Sequence, residues 1–385
     1  MKKSISILGS TGSIGRQTLE VLSAFPNRFN VTGLSARDNL NILAEQIKKF
    51  SPKIVSVDNE DSAEALQKKL GKTQTVVYFG HEGLNRVATH KDADTVVVAI
   101  PGSAGIIPTI EAIRLKKDIA LASKEVLVAA GDLVMREVER RKVRLTPIDS
   151  EHCGIMQCIK NEDPSKIKKI ILTASGGPFL DVPKEKLSKV TKQEALSHPR
   201  WRMGNKISID SATMMNKGFE VIEAHHLFRM DYTKIDVVIH PQSVVHALVE
   251  LTDGSIIAQL AAQDMRIPIQ YALLEGERLM NKFAQIDLLK SGNLTFLPPE
   301  KDKFPCLEYA YAAGRRGGTL PAVLNAANNE AVRLFMDDKI KFTDIALLVK
   351  QAMDKHFYTK DPSLDDVLAA DMWAKKEILT SLPKS

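Results

Sequence analysis

The first third of the chain alternates short β-branched and aliphatic runs with stretches of helical apolar spacing, such as residues 17–24 and 40–50. This alternation predicts right-handed βαβ units, in which helices cover both faces of a parallel sheet. Ligands of such sheets bind at the carboxyl ends of the strands, so the residues after each run are the first candidates for a site. The runs predicted as strands are 5–8, 31–34, 54–57, 95–100, 119–122 and 143–148.

The remaining two thirds of the sequence change pattern twice. The stretches 244–250 and 255–261 flank Thr252-Asp253-Gly254, which is typical of a hairpin turn. They predict an α+β region whose antiparallel strands could serve a dimer interface. From about residue 301 the apolar spacing becomes helical, and a small terminal bundle is expected to brace the other two regions. The predicted helices are 306–315, 321–337, 343–357 and 364–381.

Three glycines follow the first predicted strand and open a helix. Gly9, Gly12 and Gly15 have the spacing GxxGxxG. Glycine permits a tight turn and a close backbone approach, and the start of a helix presents unpaired N–H groups to a pyrophosphate. The pattern therefore predicts dinucleotide binding, and the alternative is a strand-to-helix turn without a ligand.

The end of the second predicted strand bears on which dinucleotide would bind. An NAD site usually places Asp or Glu there against the ribose 2′-hydroxyl. This chain has Arg37, whose planar guanidinium matches a 2′-phosphate. Because Asp38 follows directly, a simple surface arginine is equally compatible with the spacing.

Residues after the fourth and fifth predicted strands lie at the same edge of the sheet. Loop 101–105 follows one strand, and Ser123-Lys124-Glu125 follows the other. A Lys-Glu pair at the start of a helix is ordinarily a surface salt bridge. At the carboxyl end of a parallel strand it is also a candidate for function.

Carboxylates appear in two separate parts of the middle third. Asp149 and Glu151 follow the strand predicted at 143–148, and in an extended segment both side chains would face the same way. Farther along, Asn216 and Glu220 would share one face of a helix. Oxygen ligands of this kind predict a site for Mg²⁺ or Mn²⁺. The alternative is that these carboxylates face solvent, since no spacing rule joins the two segments.

Polar groups suited to an anionic substrate accompany these carboxylates. Asp210 or Ser211 is predicted to cap the helix that carries Asn216 and Glu220, and Lys217 lies on the same helix. Ser175 and the two glycines that follow it form a loop whose hydroxyl and bare N–H groups suit a phosphate or oxyanion.

The segment 197–206 has the composition of a lid. It contains Trp201 between a proline and a glycine, and closing an aromatic ring over a substrate would exclude water. The alternative is a surface loop with a packed tryptophan.

Composition narrows the class of protein. The chain has 385 residues, 44% of them hydrophobic and 26% charged, which is ordinary for a globular protein of two or three domains. The balance of 53 basic and 47 acidic residues, +6, suits an anionic small molecule but is too weak to argue nucleic-acid binding. Three cysteines cannot form a disulfide framework, which fits a reducing cytoplasm. No apolar run approaches the roughly 20 residues that a membrane helix needs.

Taken in order, these motifs closely resemble the 1-deoxy-D-xylulose 5-phosphate reductoisomerase family, from residue 3 to the end. The block 210–220 is the most specific of them. The chain departs from the family pattern at Arg37, where glycine is common, and at Ser123, where asparagine is common. The segments that carry the resemblance are 9–15, 122–125, 147–152, 175–179, 198–199, 201–204 and 210–220.

The resemblance implies a fold, an activity and an assembly. It implies an N-terminal Rossmann-type NADPH domain (1–149), a central α+β catalytic and dimerisation domain (150–275), a linker (276–300) and a C-terminal helical domain (301–385). The implied activity converts 1-deoxy-D-xylulose 5-phosphate and NADPH to 2-C-methyl-D-erythritol 4-phosphate with Mg²⁺ or Mn²⁺, and Co²⁺ is a further candidate. A cytoplasmic homodimer that binds a phosphorylated sugar, and neither nucleic acid nor membrane, is expected.

The resemblance also implies roles for individual residues. The implied cofactor residues are Thr11, Gly12, Ser13, Ile14, Arg37, Asp38, Asn39, Ser123, Glu125 and Gly204. The implied metal ligands are Asp149, Glu151 and Glu220. The implied substrate residues are Lys124, Ser150, Glu151, Ser175, His198, Ser211, Asn216, Lys217 and Glu220. Of all these, Glu151, Lys124 and Asp149 would be catalytic.

Two alternatives come from other classes of protein. One is a cysteine-dependent NADP aldehyde dehydrogenase with Cys153 as the nucleophile beside His152. The other is a Rossmann-type sensor that binds NADPH and signals through its helical region, and this reading leaves the carboxylates without a role.

Overall fold

The structure is a computed structural model that describes residues 2–197, 204–280 and 282–381. The chain divides into two compact units, each formed by three separate stretches. The first unit consists of Met1–Val126, Val134–Cys153 and Asp264–Ala284. The second consists of Leu127–Leu133, Gly154–Gln263 and Gln285–Ser385. The three-domain boundaries implied by the sequence stay a prediction.

A parallel sheet forms the centre of the first unit. Within the described residues its strands are β1 (Lys3–Leu8), β2 (Phe29–Ser35), β3 (Ile54–Val57), β4 (Val76–Phe79), β5 (Thr95–Val98), β6 (Asp118–Leu121) and β7 (Leu145–Pro147). They lie in the order β4-β3-β2-β1-β5-β6-β7. The chain runs outward from β1 in both directions, so the switch point at which such sheets bind ligands lies between β1 and β5. The predicted doubly wound parallel sheet is confirmed.

Strand β4 is not among the strands predicted from the sequence, because it lies at the edge of the sheet. It pairs with β3 alone among the described strands. Val76 and Phe79 are 51% and 45% exposed. A strand that buries so little apolar surface lacks the hydrophobic pattern by which the interior strands can be found.

The second unit contains a smaller, mixed sheet. Within the described residues its strands are β8 (Ile167–Ala174), β9 (Ile235–Ile239), β10 (Val245–Leu251) and β11 (Ile256–Leu260), in the order β11-β10-β8-β9. The hairpin predicted at Thr252-Asp253-Gly254 joins β10 to β11 and is confirmed. The expectation of antiparallel strands alone is incomplete, because β9 runs parallel to β8.

Helices make up most of the rest of the chain. In chain order they are α1 (Ser13–Ala24), α2 (Leu40–Phe50), α3 (Glu60–Leu70), α4 (Gly80–Thr89), α5 (Ile106–Arg114), α6 (Lys124–Arg141), α7 (Ser150–Ile159), α8 (Lys192–Leu196), α9 (Asn205–Ala212), α10 (Met215–Phe228), α11 (Arg266–Leu273), α12 (Leu288–Ser291), α13 (Cys306–Arg316), α14 (Leu320–Met336), α15 (Phe342–Lys355) and α16 (Leu364–Thr380). None of those in the described ranges is both long and apolar enough to cross a membrane.

The four C-terminal helices predicted from apolar spacing are confirmed as α13 to α16. Their side chains and those of α10 and β8 belong to one hydrophobic core. Phe219 of α10, Leu307 of α13 and Leu324 of α14 are all essentially inaccessible to solvent. A Cβ at Gly218 would lie 2.5 Å from the Cβ of Ala310, so α10 and α13 pack this closely only with glycine there.

The segment Asp264–Ala284 returns to the first unit and is held there by ion pairs. Glu275, just after α11, pairs with Lys3 Nζ at 2.7 Å and also with Arg144. The hydrogen bond from Arg144 lowers the pKa of Glu275 to about 2, and Lys3 contributes in the same direction.

Glu275→Gln is therefore expected to reduce the loss of stability in acid. A carboxylate with a depressed pKa stabilises the folded state above its unfolded pKa of about 4.3, and this stabilisation is lost as the pH falls toward 2. Because the side chain is 42% exposed, solvent screening reduces the effect to on the order of 1 kcal/mol. Urea unfolding at pH 6 and pH 3 should show a smaller difference for the variant than for the wild type. Glu277→Gln, which removes a single ion pair with Arg28, is the control.

Candidate functional site

The glycine loop joins β1 to α1 as predicted. Gly9 has a φ of +87°, which favours glycine. A Cβ at Gly15 would lie 2.2 Å from the Gly9 carbonyl oxygen, so α1 can pack against the loop only with glycine there. Gly12 is exposed, and the first turn of α1 contains no acidic residue, so the helix N-terminus can receive an anion. The predicted cofactor residues at this turn are Thr11, Gly12, Ser13 and Ile14.

Two residues that the sequence analysis did not identify hold this loop. Ser35, at the end of β2, accepts backbone hydrogen bonds from Gly9 and Ser10 at 3.1 and 2.8 Å. Gln46 of α2 donates to the Ser10 carbonyl at 2.9 Å and accepts from the Ser10 hydroxyl at 2.7 Å. No local pattern could identify Gln46, because it lies 36 residues from its partner.

Arg37 lies just after β2, as predicted, and forms an ion pair with its neighbour. Its Nε donates to Asp38 Oδ2 at 2.8 Å, and the two side chains are 74% and 70% exposed. This hydrogen bond raises the pKa of Arg37, so the guanidinium is charged throughout the physiological range. Asn39 caps α2 by accepting from the Ile42 N–H at 3.2 Å.

Ser123 occupies the turn between β6 and α6. It is 5% exposed, and its hydroxyl donates to the carbonyls of Ile100 and Val98, at 2.6 and 3.2 Å. Ser123 therefore ties the end of β5 to the start of α6, where Lys124 is the first residue. Glu125, the next residue, is also buried.

The acidic segment after β7 is not extended. Helix α7 begins at Ser150, so the prediction that Asp149 and Glu151 face one way as alternate residues of a strand is wrong. Asp149 instead accepts from the Glu151 N–H at 3.3 Å, as a residue before a helix does. Lys124 Nζ pairs with its other carboxylate oxygen.

The carboxylates of Asp149 and Glu151 thus lie at the N-terminus of α7, where the helix dipole favours negative charge. The Ser150 hydroxyl donates to Glu151 Oε2 at 2.5 Å. His152, which is fully buried, places Nδ1 3.4 Å from Asp149 Oδ1. The first unit therefore presents two carboxylates, a hydroxyl and the Lys124 ammonium group together.

The second unit contributes the start of α10. Asn216 Nδ2 donates to Glu220 Oε1 at 2.6 Å, and Lys217 Nζ pairs with the other oxygen of Glu220. The predicted sharing of one helix face is confirmed. Glu220 and Lys217 are 1% and 3% exposed, so this ion pair is almost completely buried.

The predicted cap of α10 is wrong. Asp210 and Ser211 lie inside α9, and the residue before α10 is Met214, whose φ is +64°. Met214 has no side-chain oxygen to accept from the helix. The first turn of α10 holds no acidic residue, so its N–H groups favour an anion.

The loop after β8 lies against α9. Gly176 and Gly177 have φ values of +85° and +69°, and the Gly177 N–H donates to Ser175 Oγ at 3.2 Å. A Cβ at Gly177 would lie 2.8 Å from the Ser211 carbonyl oxygen, so the loop that carries Ser175 contacts the helix that carries Ser211.

Part of the predicted lid lies outside the described residues. His198 and Trp201 are in this part, so the predicted substrate contact and ring closure stay predictions. Gly204 is described and lies immediately before α9, with open space where a Cβ would be.

The parallel sheet with its glycine loop defines a dinucleotide-binding α/β protein that also carries a polar, acidic centre. Family profiles named 1-deoxy-D-xylulose 5-phosphate reductoisomerase, its C-terminal domain, and DXP reductoisomerase C-terminal domain match residues 5–131, 145–228 and 260–377. The chain belongs to the 1-deoxy-D-xylulose 5-phosphate reductoisomerase family.

Individual relatives agree over the full length. The enzymes of that name from Microcystis aeruginosa and from a Nostoc species are each 51% identical to this chain; the alignments cover 99% of it and 98% and 96% of the relatives. The Zymomonas mobilis structure in complex with NADPH is 38% identical, with a TM-score of 0.93 and full coverage of both chains. A reductoisomerase structure with NADPH, fosmidomycin and magnesium is 41% identical, with a TM-score of 0.94, and the match covers 99% of this chain and 98% of the other.

Proposed function

We propose that this chain converts 1-deoxy-D-xylulose 5-phosphate and NADPH to 2-C-methyl-D-erythritol 4-phosphate, a step of isoprenoid precursor synthesis by the non-mevalonate pathway. The observation that carries the proposal is the full-length similarity to enzymes of that name, at 51% identity. The implied metal ligands and catalytic residues all lie in the segments that carry the resemblance.

The first unit supplies the NADPH site. The open N-terminus of α1 suits the pyrophosphate, and its first turn carries no acidic group that would repel it. Arg37 would read the 2′-phosphate of the adenosine end, with Asp38 and Asn39 beside it. Ser123 and Glu125 are further proposed contacts in this unit, and Gly204, which belongs to the second unit, is proposed as one more. When bound, NADPH supplies the hydride for the reductive step.

Arg37→Ala is expected to raise the KM for NADPH more than that for NADH. The guanidinium can pair with a 2′-phosphate, which NADH lacks. Because Arg37 is already paired with Asp38, the expected difference is modest, about three- to tenfold. Steady-state kinetics with both cofactors measure it. Equal effects on the two KM values would mean that Arg37 does not read the 2′-phosphate.

The carboxylates of Asp149, Glu151 and Glu220 would together hold a divalent cation, Mg²⁺ or Mn²⁺, with Co²⁺ as a further candidate. Three anionic oxygen donors suit such hard cations and leave positions for substrate oxygens. When bound, the ion supplies Lewis-acid stabilisation of the substrate's ketone and hydroxyl oxygens, an effect worth several kcal/mol.

The chain's own groups would bind the substrate and move protons. Glu151 is proposed to assist proton transfer, and Lys124 to polarise or donate to the substrate oxygens. Holding both ends of a short carbon chain favours the breaking and re-forming of its carbon–carbon bond. The groups proposed to bind the phosphate end are Ser175, Ser211, Asn216 and Lys217, with Ser150 and His198 as further substrate contacts.

A homodimer in the cytoplasm is part of the same proposal. Strand β11 is an edge strand, and Ile256 on it is 54% exposed. An exposed edge of this kind is suited to pairing with a second copy. Light scattering should then give twice the 42.5 kDa mass of one chain.

The decisive experiment measures NADPH absorbance with the purified chain. Absorbance should fall only when 1-deoxy-D-xylulose 5-phosphate and a divalent cation are both present. Turnover that is insensitive to chelators but abolished by iodoacetamide would favour the cysteine-dependent dehydrogenase instead. Cys153 is fully buried, which argues against it as a nucleophile. NADPH binding with no turnover under any condition would favour the sensor.

A further inference from the structure

A buried polar network holds α9, the helix that carries Ser211. Asp210, the preceding residue, is 1% exposed, although it bears a carboxylate. Lys206, one turn earlier on α9, places Nζ 2.8 Å from Asp210 Oδ2. Asn328 of α14 donates from Nδ2 to Asp210 Oδ1 at 2.7 Å. Both carboxylate oxygens therefore have partners, as the burial of a charge requires.

The network joins three helices of the second unit. The Lys206 ammonium group lies 4.8 Å from the ring centroid of Phe219 on α10, within the range of a cation–π contact. Asn328 is itself fully buried, and its Oδ1 has no partner among the described residues. The Asn328 amide thus directs its NH₂ group at Asp210 while its own oxygen has no partner among the described residues. The hydrogen bond to the buried carboxylate therefore fixes the orientation of this side chain.

We propose that Asn328 and Asp210 are positioning residues for the substrate's phosphate. Successive residues of a helix differ by about 100° in direction, so anchoring Asp210 sets the direction in which Ser211 points. Helix α14, one of the four helices near the C-terminus, would thereby act on the reaction through α9, without touching the substrate. This inference rests on the proposed function, since it takes Ser211 to bind the phosphate.

The test compares variants that break, exchange and spare the contact. Asn328→Leu removes the donor and keeps the branching of the side chain at Cγ. The double variant Asp210→Asn with Asn328→Asp exchanges the two groups and keeps one amide facing one carboxylate. Asn329→Ala is the matched control, because Asn329 neighbours Asn328 on α14 but bonds only to Asn325 in the described contacts.

Asn328→Leu is expected to raise the KM for 1-deoxy-D-xylulose 5-phosphate at least about tenfold, the usual worth of a hydrogen bond to a buried charge. The KM for NADPH should stay within about twofold, and the exchanged pair should recover most of the loss that Asp210→Asn alone causes. A folded Asn328→Leu enzyme with an unchanged substrate KM would overturn the proposal. The proposal would also be overturned if the exchanged pair had a substrate KM as high as that of Asp210→Asn alone. This second comparison does not depend on whether Asn328→Leu folds. Turnover by the wild type and by Asn329→Ala reports separately on the proposed function.

Discussion

Glu220→Gln and Asp149→Asn are each expected to abolish turnover while NADPH binding survives. Each change removes one anionic ligand from the proposed set of three, and Lewis-acid stabilisation of several kcal/mol corresponds to a rate loss of about a thousandfold or more. Neither substitution lies in the glycine loop, which is why NADPH binding should be retained. Turnover at saturating Mg²⁺ or Mn²⁺ measures the loss, and fluorescence titration measures NADPH binding.

Stability must be measured with these variants, because each change also breaks an ion pair. Lys217 is buried with Glu220, and Lys124 pairs with Asp149. Glu250→Gln is the control, since it loses a surface ion pair with Lys168 and lies outside the proposed site. A folded variant with near-normal turnover at saturating metal would contradict the three-carboxylate site. A variant that no longer melts cooperatively reports on the fold and not on the metal.

Gly15→Ala should weaken NADPH binding by about a hundredfold. The new Cβ would lie 2.2 Å from the Gly9 carbonyl oxygen and 2.5 Å from the Ser10 Cα, and both are backbone atoms. Helix α1 must shift away from the loop, at a cost of about 1–3 kcal/mol, and its N-terminus then no longer meets the pyrophosphate. Isothermal titration with NADPH measures the change.

Ser23→Ala is the control for Gly15→Ala. Ser23 lies at the other end of α1, and in the part of the chain that the structure describes its hydroxyl bonds only to the Leu19 carbonyl of the same helix. Its NADPH affinity should equal that of the wild type. If Gly15→Ala binds NADPH as tightly as this control, the glycine loop does not hold the cofactor.

Local sequence signals identified the elements that bury a regular apolar face. The interior strands of the parallel sheet, the β10–β11 hairpin and the C-terminal helices were all predicted from spacing alone. The pairing of Asn216 with Glu220 was also predictable, because it depends on one helix turn. Strand β4 was missed because an edge strand with exposed residues carries a weak signal.

The errors fall where two local structures suit the same residues. Asp149 can end a strand or precede a helix, and the hydrogen bond that it accepts from the Glu151 N–H favours the helix. The predicted start of α10 was wrong for a similar reason. Asp210 is a residue type that often caps helices, but here it is buried inside α9. Its partner Asn328 lies 118 residues away, so no spacing rule could reveal the contact.

The contact of Gly218 with Ala310 has a consequence for the evolution of this enzyme. A side chain at position 218 in place of the glycine hydrogen, or a side chain larger than methyl at position 310, would push apart two helices that share one core. One of those helices carries Asn216 and Glu220. In the proposed site these two residues bind the substrate and the metal, so selection at Ala310 would alter substrate binding by moving α10.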